Sequence, residues 1–216
     1  MGRPAKFDSE QMLDAAAGLV ARGGPGRATV AAIAEQLGAP SGSIYHRFES
    51  RDLLLARLWI RTVRRAQEGF VATLDGPELA DAARQAALHI PRWARSHLDE
   101  ATVLLLYRRE DLAAHWPAEL GAEVSGLNDD VTAAVRRFTK RRYGRITGGH
   151  LQTVAFALVD VPYAASRRYL LAGKPPPRAV DDLVLRTCES TLLAQPLRRM
   201  PIHELVPSPP ICGSGR

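Results

Sequence analysis

The stretch TVAAIAEQLGAPSGSIYHRF, residues 29–48, decides how the rest of the chain is read. Val30, Ile33, Ala34 and Leu37 stand at i, i+3, i+4 and i+7, one face of a short helix. Thr29 is placed to cap its N-terminus, and Gly38 follows its last residue as a position able to take positive φ. Ala39-Pro40 stops this helix. Ser41 can cap a second one, whose inward side chains are Ile44 and Phe48. Two short helices joined by about four residues predict a helix-turn-helix, with Ala34 small at the crossing and Ile44 locking one helix to the other.

The outward side of the second helix carries Ser41, Gly42, Ser43, Tyr45 and His46 in its first turns, the part of a recognition helix that meets base edges in the major groove. Small residues permit close approach, and the hydroxyls and imidazole can bond phosphates or bases. Outside a helix-turn-helix the same residues would read as half-exposed surface.

The run SGSIYHRFESRDLLL resembles the signature of the TetR/AcrR transcriptional regulators: small-x-Gly-x-aromatic-Tyr-x-His-Phe, then a basic residue and a leucine pair. The resemblance covers about residues 7–58 and includes Ile33-Ala34 and Leu37-Gly38. One departure is visible, because His46-Arg47-Phe48 places His46 directly after Tyr45. The resemblance implies an all-α protein in two parts. Residues 1–58 would be a three-helix DNA-binding domain, 59–195 a helical effector-binding and dimerisation domain, and 196–216 an irregular tail. Arg51 matches the family's basic position and is the expected phosphate clamp. The resemblance gives the architecture but not the ligand.

Composition agrees without deciding the matter. The 216 residues are 46% hydrophobic and 24% charged, which describes a globular chain and excludes a disordered one. A net charge of +6 permits a nucleic-acid partner. Within the first 60 residues, however, basic and acidic side chains nearly balance, so charge alone would not have located DNA. Cys188 and Cys212 form no CxxC, and neither a secretory leader nor a membrane-length apolar run is visible, so a cytoplasmic location is expected. The excess of Arg over Lys hints at a GC-rich bacterial source.

Ahead of residue 29, residues 2–6 form a short basic arm able to reach phosphates. A helix is expected from Asp8 or Ser9 to Arg22. Gly23-Gly24-Pro25-Gly26 is a loop rather than a phosphate cradle, since no GK[ST] follows. It leads to Arg27 and Thr29, where the next helix N-terminus can hold a DNA phosphate. After the recognition helix, Ser50 caps a long helix to Leu74, and Asp75-Gly76-Pro77 marks a boundary. Helical segments are then predicted at 77–95, 98–114, 117–143, 147–172 and 179–194, with Pro91 and Pro162 kinking two of them.

Candidate ligand contacts fall in these later helices. His89 and Trp93 are spaced i, i+4, and Tyr107 follows; aromatics at such spacing serve equally as core. In 147–172 a stripe of Leu151, Val154, Ala155, Leu158 and Ala165 faces one way and Phe156, Asp160, Tyr163 and Arg167 another, so the helix needs cover on two sides. Asp160 has no basic residue at i±3 or i±4 and reads as a buried carboxylate awaiting a ligand, or an Arg from elsewhere. In the resembled family the last two long helices pair with their symmetry mates; Val180, Leu183, Val184, Cys188 and Leu192 suit that role. The basic run Arg136, Arg137, Lys140, Arg141, Arg142, Arg145 reads as a solvated helix end, or as an anion site.

Taken together, the residues and the resemblance predict a homodimeric repressor that binds a palindromic operator in double-stranded DNA and is released by a small-molecule effector. No cofactor, metal, membrane or catalytic activity is expected. An effector-independent DNA-binding protein is the alternative; a helical enzyme using Asp160 or His89 as a base has no nucleophile–base pattern behind it.

Overall fold

The computed structural model describes residues 7–106 and 120–193. The basic arm, Tyr107 and the tail from Pro196 lie outside the described residues. Helix α1 (Ser9–Gly23) opens on a reciprocal cap: the Gln11 N–H donates to Asp8 Oδ1 at 2.8 Å, and the Asp8 N–H donates to Gln11 Oε1 at 3.1 Å. Helix α2 (Val30–Leu37) is capped by Thr29, whose Oγ1 accepts from the Ala32 N–H at 3.1 Å. It ends at Gly38 with φ 61°, the left-handed conformation that turns the chain. Helix α3 (Ser41–Tyr45) starts one residue earlier than expected: Pro40 takes the cap position and Ser41 is its first residue. The fixed φ of Pro40 suits the entry to a helix.

Helix α4 (Arg51–Leu74) has 24 residues and so is about 36 Å long, enough to belong to two cores. Its first half, through Leu54 and Leu58, closes over Met12, Ile33 and Ile44, all fully buried. Val103 of α6 (Leu98–Leu106) and Val124 of α7 (Gly121–Ser125) complete that core, so later helices help to bury the head. The second half of α4, with Phe70 and Leu74, packs on the alanine face of α5 (Leu79–Ser96) and on Phe138 of α8 (Asp129–Tyr143). The expected single helix at 117–143 is therefore two, separated at Gly126–Asn128 in sequence.

The two prolines act differently from expectation. Pro91 is buried inside α5 without interrupting it. Pro162 lies in a helix that is widened rather than broken. α9 (Gly148–Ala155) passes through one π turn (Phe156–Asp160) into α10 (Val161–Leu171). Pro162 offers no N–H to the carbonyl four residues back, and the neighbouring Val161 N–H bonds Phe156 O instead, a five-residue step. The last helix, α11 (Ala179–Cys188), continues into a second π turn (Glu189–Leu193). Val180, Val184, Cys188 and Leu192 are buried within the chain's own core, against the expectation that they face a partner. Leu183 alone of that set is exposed. The Cys188 thiol donates to Ala83 O at 3.6 Å, and burial pushes its pKa up to about 11, so it is a core group.

Half of the basic run is committed to the fold, two members at the end of α4 and one at the last helix. Arg137 pairs with Asp75 at 2.9 Å, Arg141 donates to the carbonyls of Leu74 and Pro77 at 3.0 Å each, and Arg142 Nε donates to Leu192 O at 2.7 Å. These guanidinium groups satisfy carbonyls that a helix end and its following turn leave without partners.

A charged cluster joins α1, α4 and α6. Glu100 on α6 is buried; it accepts from Arg65 at 2.9 Å and lies 3.8 Å from Arg61. Arg61 also pairs with Glu10 and Asp14 of α1, each at 2.8 Å, and Arg65 reaches Glu10 at 2.9 Å. Removing a buried partner leaves charge uncompensated. Glu100→Ala is accordingly expected to lower the unfolding free energy by about 3 kcal/mol, measured by urea titration; a loss under about 0.5 kcal/mol would show that water already screens the pair.

Candidate functional sites: a helix-turn-helix face and an interhelical cavity

The helix-turn-helix presents a compact outward face. Tyr45 is 56% exposed, the most open large hydrophobic side chain of the head, and Ser41, Gly42 and His46 are exposed beside it. Ser43 is half-buried. A Cβ added at Gly42 would meet nothing within 4 Å, so this side of α3 is open to an incoming surface. Thr29 Oγ1 is engaged in its cap, yet the residue is exposed at the N-terminus of α2. Arg27 is also exposed; its stem lies so close to α1 that a Cβ on Gly23 would fall 2.5 Å from Arg27 Cγ. Arg47, exposed and placed where the regulator signature has its His before Phe48, adds a fixed positive charge that the sequence reading passed over. Its signal was the departure itself.

Arg51 departs from expectation. Its Nε donates to Ala28 O at 2.8 Å, its Nη2 donates to Pro25 O, and its Nη1 lies 3.8 Å from Asp52. The guanidinium thus pins the loop between α1 and α2 from the start of α4, an engagement with backbone that the expected phosphate clamp did not include. The physical reason is that loop carbonyls are less fully bonded than helical ones (Pro25 O takes only a 3.3 Å bond from the Ala28 N–H), and a five-donor fork can serve two of them at once. Arg51→Ala is expected to cost about 1–2 kcal/mol of stability while leaving the slope of DNA affinity against salt unchanged; a smaller slope with unaltered stability would return Arg51 to the phosphates.

The second site is a cavity of about 300 Å³ between α4, α5, α6, α8 and α10. Its walls are almost wholly apolar: Phe70 from α4, Ile90 and Trp93 from α5, Leu104 from α6, Val131 from α8, and Leu170 from α10. Of the expected contacts, His89, Trp93 and Tyr163 line it. Tyr107 lies outside the described residues. Phe156 and Asp160 do not line it, and both are exposed. Asp160 is therefore a solvated carboxylate and not a buried one awaiting a ligand; the stripe it shares with Phe156, Tyr163 and Arg167 faces away from the helices that bury Val154 and Leu158. Phe70, Ile90, Val131 and Leu170 were missed because an isolated sequence gives apolar residues on four helices no sign that they surround space rather than one another. A larger depression of about 450 Å³, walled by Arg64, Glu68, Glu123, Asp130 and Arg137, is a charged surface groove.

His89 sets the polarity of the cavity. Its Nε2 lies 2.7 Å from the Ala66 carbonyl. A carbonyl only accepts, so Nε2 carries the hydrogen and Nδ1 keeps its lone pair. The imidazole comes this close because α4 has Gly69 at the crossing: a Cβ there would lie 2.6 Å from His89 Cε1. Burial lowers the His89 pKa below 6.5; the Ala66 hydrogen bond opposes this and His97 adds to it. The unfolded chain then binds a proton that the native state refuses. The stability His89 contributes is complete above pH 6.5 and is lost as pH falls through that range. Between pH 7.5 and 5.5 the His89→Phe variant is expected to lose less unfolding free energy than the parent, as read from urea titrations at each pH; equal losses would mean the native imidazole protonates freely.

Among the described residues no group of three His, Cys, Asp or Glu side chains could hold a metal ion, and no helix is long and apolar enough to cross a membrane. Residues 12–58 match the family of bacterial regulatory proteins described as the tetR family. The fold resembles that of a TetR-like transcriptional regulator from Rhodococcus sp. RHA1, with a TM-score of 0.67 at 17% identity over 90% of this chain and 100% of that one. It also resembles the transcriptional regulator FadR from Bacillus subtilis, solved in complex with stearoyl-CoA, with a TM-score of 0.63 at 17% identity over 85% and 99% of the two chains. A TetR family transcriptional regulator, PfmR from Thermus thermophilus, gives a TM-score of 0.59 at 18% identity over 87% and 99%. No curated protein matches the chain in sequence.

Proposed function

We propose that the chain, whose residues 12–58 match the tetR family of bacterial regulatory proteins, is a cytoplasmic, homodimeric repressor of that family, released from a palindromic operator by a small molecule. The observation that carries the proposal is the open face of α3, with Tyr45 outermost behind the Gly38 turn. In this reading residues 1–58 are the DNA-binding domain and 59–195 the effector and dimerisation domain. Tyr45, His46, Ser41, Gly42 and Ser43 read bases or the adjoining backbone, while Arg27, Arg47 and the α2 N-terminus at Thr29 meet phosphates.

A second copy covers the exposed apolar side chains Phe156, Tyr163 and Leu183, which lie on helices packed together. Two heads on a two-fold axis then match a site of the same symmetry. The cavity receives the effector; that FadR from Bacillus subtilis was solved with stearoyl-CoA supports ligand binding by this fold. Release follows when the ligand favours a conformer that binds operator less well, and operator weakens the ligand by the same factor. The charged cluster on α6 offers a route: Ala101 and Leu104 line the cavity, and the neighbouring Glu100 holds the arginines that hold α1. The protein acts by binding alone, without a catalytic step.

Selection of bound fragments from bacterial genomic DNA at physiological salt tests the reading. An enriched palindrome is expected; binding without a motif would indicate an architectural protein, and no binding by the folded dimer would overturn the assignment of α3. With the enriched site in hand, Tyr45→Ala is expected to weaken binding by about tenfold or more and to narrow the gap between operator and unrelated DNA, with helicity and dimer mass unchanged. An unaltered operator affinity would remove Tyr45 from the reading surface.

A further inference from the structure

The cavity contains a specific instruction about its ligand. Of its polar side chains, Gln67 and Asn128 are joined to each other by a 2.7 Å hydrogen bond from Gln67 Nε2 to Asn128 Oδ1. No Asp, Glu, Lys or Arg is in its lining among the described residues. Among the described residues an ionised ligand there would meet no counter-ion in the lining, and an unpaired buried charge is far costlier than a buried apolar group. His89 supplies a different opportunity. The Ala66 carbonyl holds its Nε2–H, so Nδ1 is an acceptor, and it has no hydrogen-bond partner among the described residues. Gly69 against one edge of the ring keeps the imidazole from turning, since the space is closed to anything larger than a hydrogen there. Trp93, Phe70 and Tyr163 add aromatic faces around it.

Resting on the effector reading above, we propose that the cavity selects an uncharged, mainly apolar molecule bearing one hydroxyl or N–H that donates to His89 Nδ1. Carboxylates and other anions of the same size are rejected. A volume of about 300 Å³ sits at the lower end of ligand sites, which sets the class at small phenols and alcohols with a short alkyl or ring body. The selection has two parts. Apolar burial drives binding of the body without direction, and the His89 acceptor, set among aromatic faces, fixes which end of the molecule goes in and favours a donor on it.

The test uses the full-length protein at pH 7.5 and three probes with one body: 4-hexylphenol, 4-hexylanisole and 4-hexylbenzoate. Calorimetry gives the affinities, and Trp93 emission gives a second signal from the cavity wall. 4-Hexylphenol is expected to bind one per chain. The anisole, which cannot donate, is expected to bind about tenfold more weakly, and the benzoate at least about a hundredfold more weakly. In His89→Phe the preference of phenol over anisole should disappear. Gly69→Ala, whose new Cβ displaces the imidazole, should lose the same preference, so the conclusion does not hang on one variant; thermal melts establish that each is folded. Benzoate binding as tightly as the phenol, or a phenol preference that survives both variants, would overturn the ligand class while leaving an effector site in place. Failure of all three probes to bind would overturn the ligand class too. Selection from genomic DNA decides the regulator reading independently, so the two failures are told apart.

Discussion

Glu100 is a carboxylate that α6 carries into a buried position, and the arrangement of three helices follows from the need to pair it. Arg61 and Arg65 stand one turn apart on α4, so both reach the same acid, and each also reaches acids of α1. A helix pair held by apolar packing alone could slide with little penalty. Glu100 and Arg61 cannot move apart as freely, because both are largely buried and separation leaves them desolvated without a partner, whereas Glu10 and Asp14 reach in from the surface. The same residues thus align the head on α4 and align α6 on both. The apolar core formed by Met12, Leu54, Leu58 and Val103 fills the space that this alignment leaves.

Two arginines at the ends of α4 work on protein backbone. Arg51 closes the loop ahead of α2, and Arg141 closes the chain behind Leu74. Both act at helix ends or in loops, where carbonyls are less fully bonded than inside a helix. Among the described residues of the head, the proposed reading gives a nucleic acid a small set: Arg27, Arg47, and the neutral polar groups of α3. A head of nearly balanced charge is consistent with this, since affinity for phosphates can come from a few well-placed cations and helix N-termini.

Small residues create a polar feature in an otherwise apolar cavity. Ala66 and Gly69 on α4 let the His89 ring lie against the helix, and the Ala66 carbonyl then fixes its tautomer. Without Gly69 the imidazole would stand off, and its Nε2–H would have no fixed acceptor. Widening of the helix at Phe156–Asp160 has a related effect on the opposite wall. It accommodates Pro162 and shifts the angular position of the residues after it, so Val159 and Tyr163 reach the cavity while Asp160 stays in water.

The helical class, the cap at Thr29, the turn at Gly38 and the outward set around Tyr45 were legible in the sequence. Each is decided by residues within a few positions of one another: a 3.6-residue period, a hydroxyl before a helix, a glycine after it. The partners of Arg51, the exposure of Asp160 and the inward turn of Val180, Val184 and Cys188 were not. A guanidinium can equally hold a phosphate or a carbonyl, and a helix with apolar residues on two sides does not state which side its own chain will cover. Those choices depend on contacts between residues far apart in the chain, such as Arg51 with Pro25 or Cys188 with Ala83. Local conformation and the presence of a reading head thus follow from the order of residues alone. Which charges are committed to the fold, and where empty space is left, are set by packing across helices, which brings together residues that no local pattern connects.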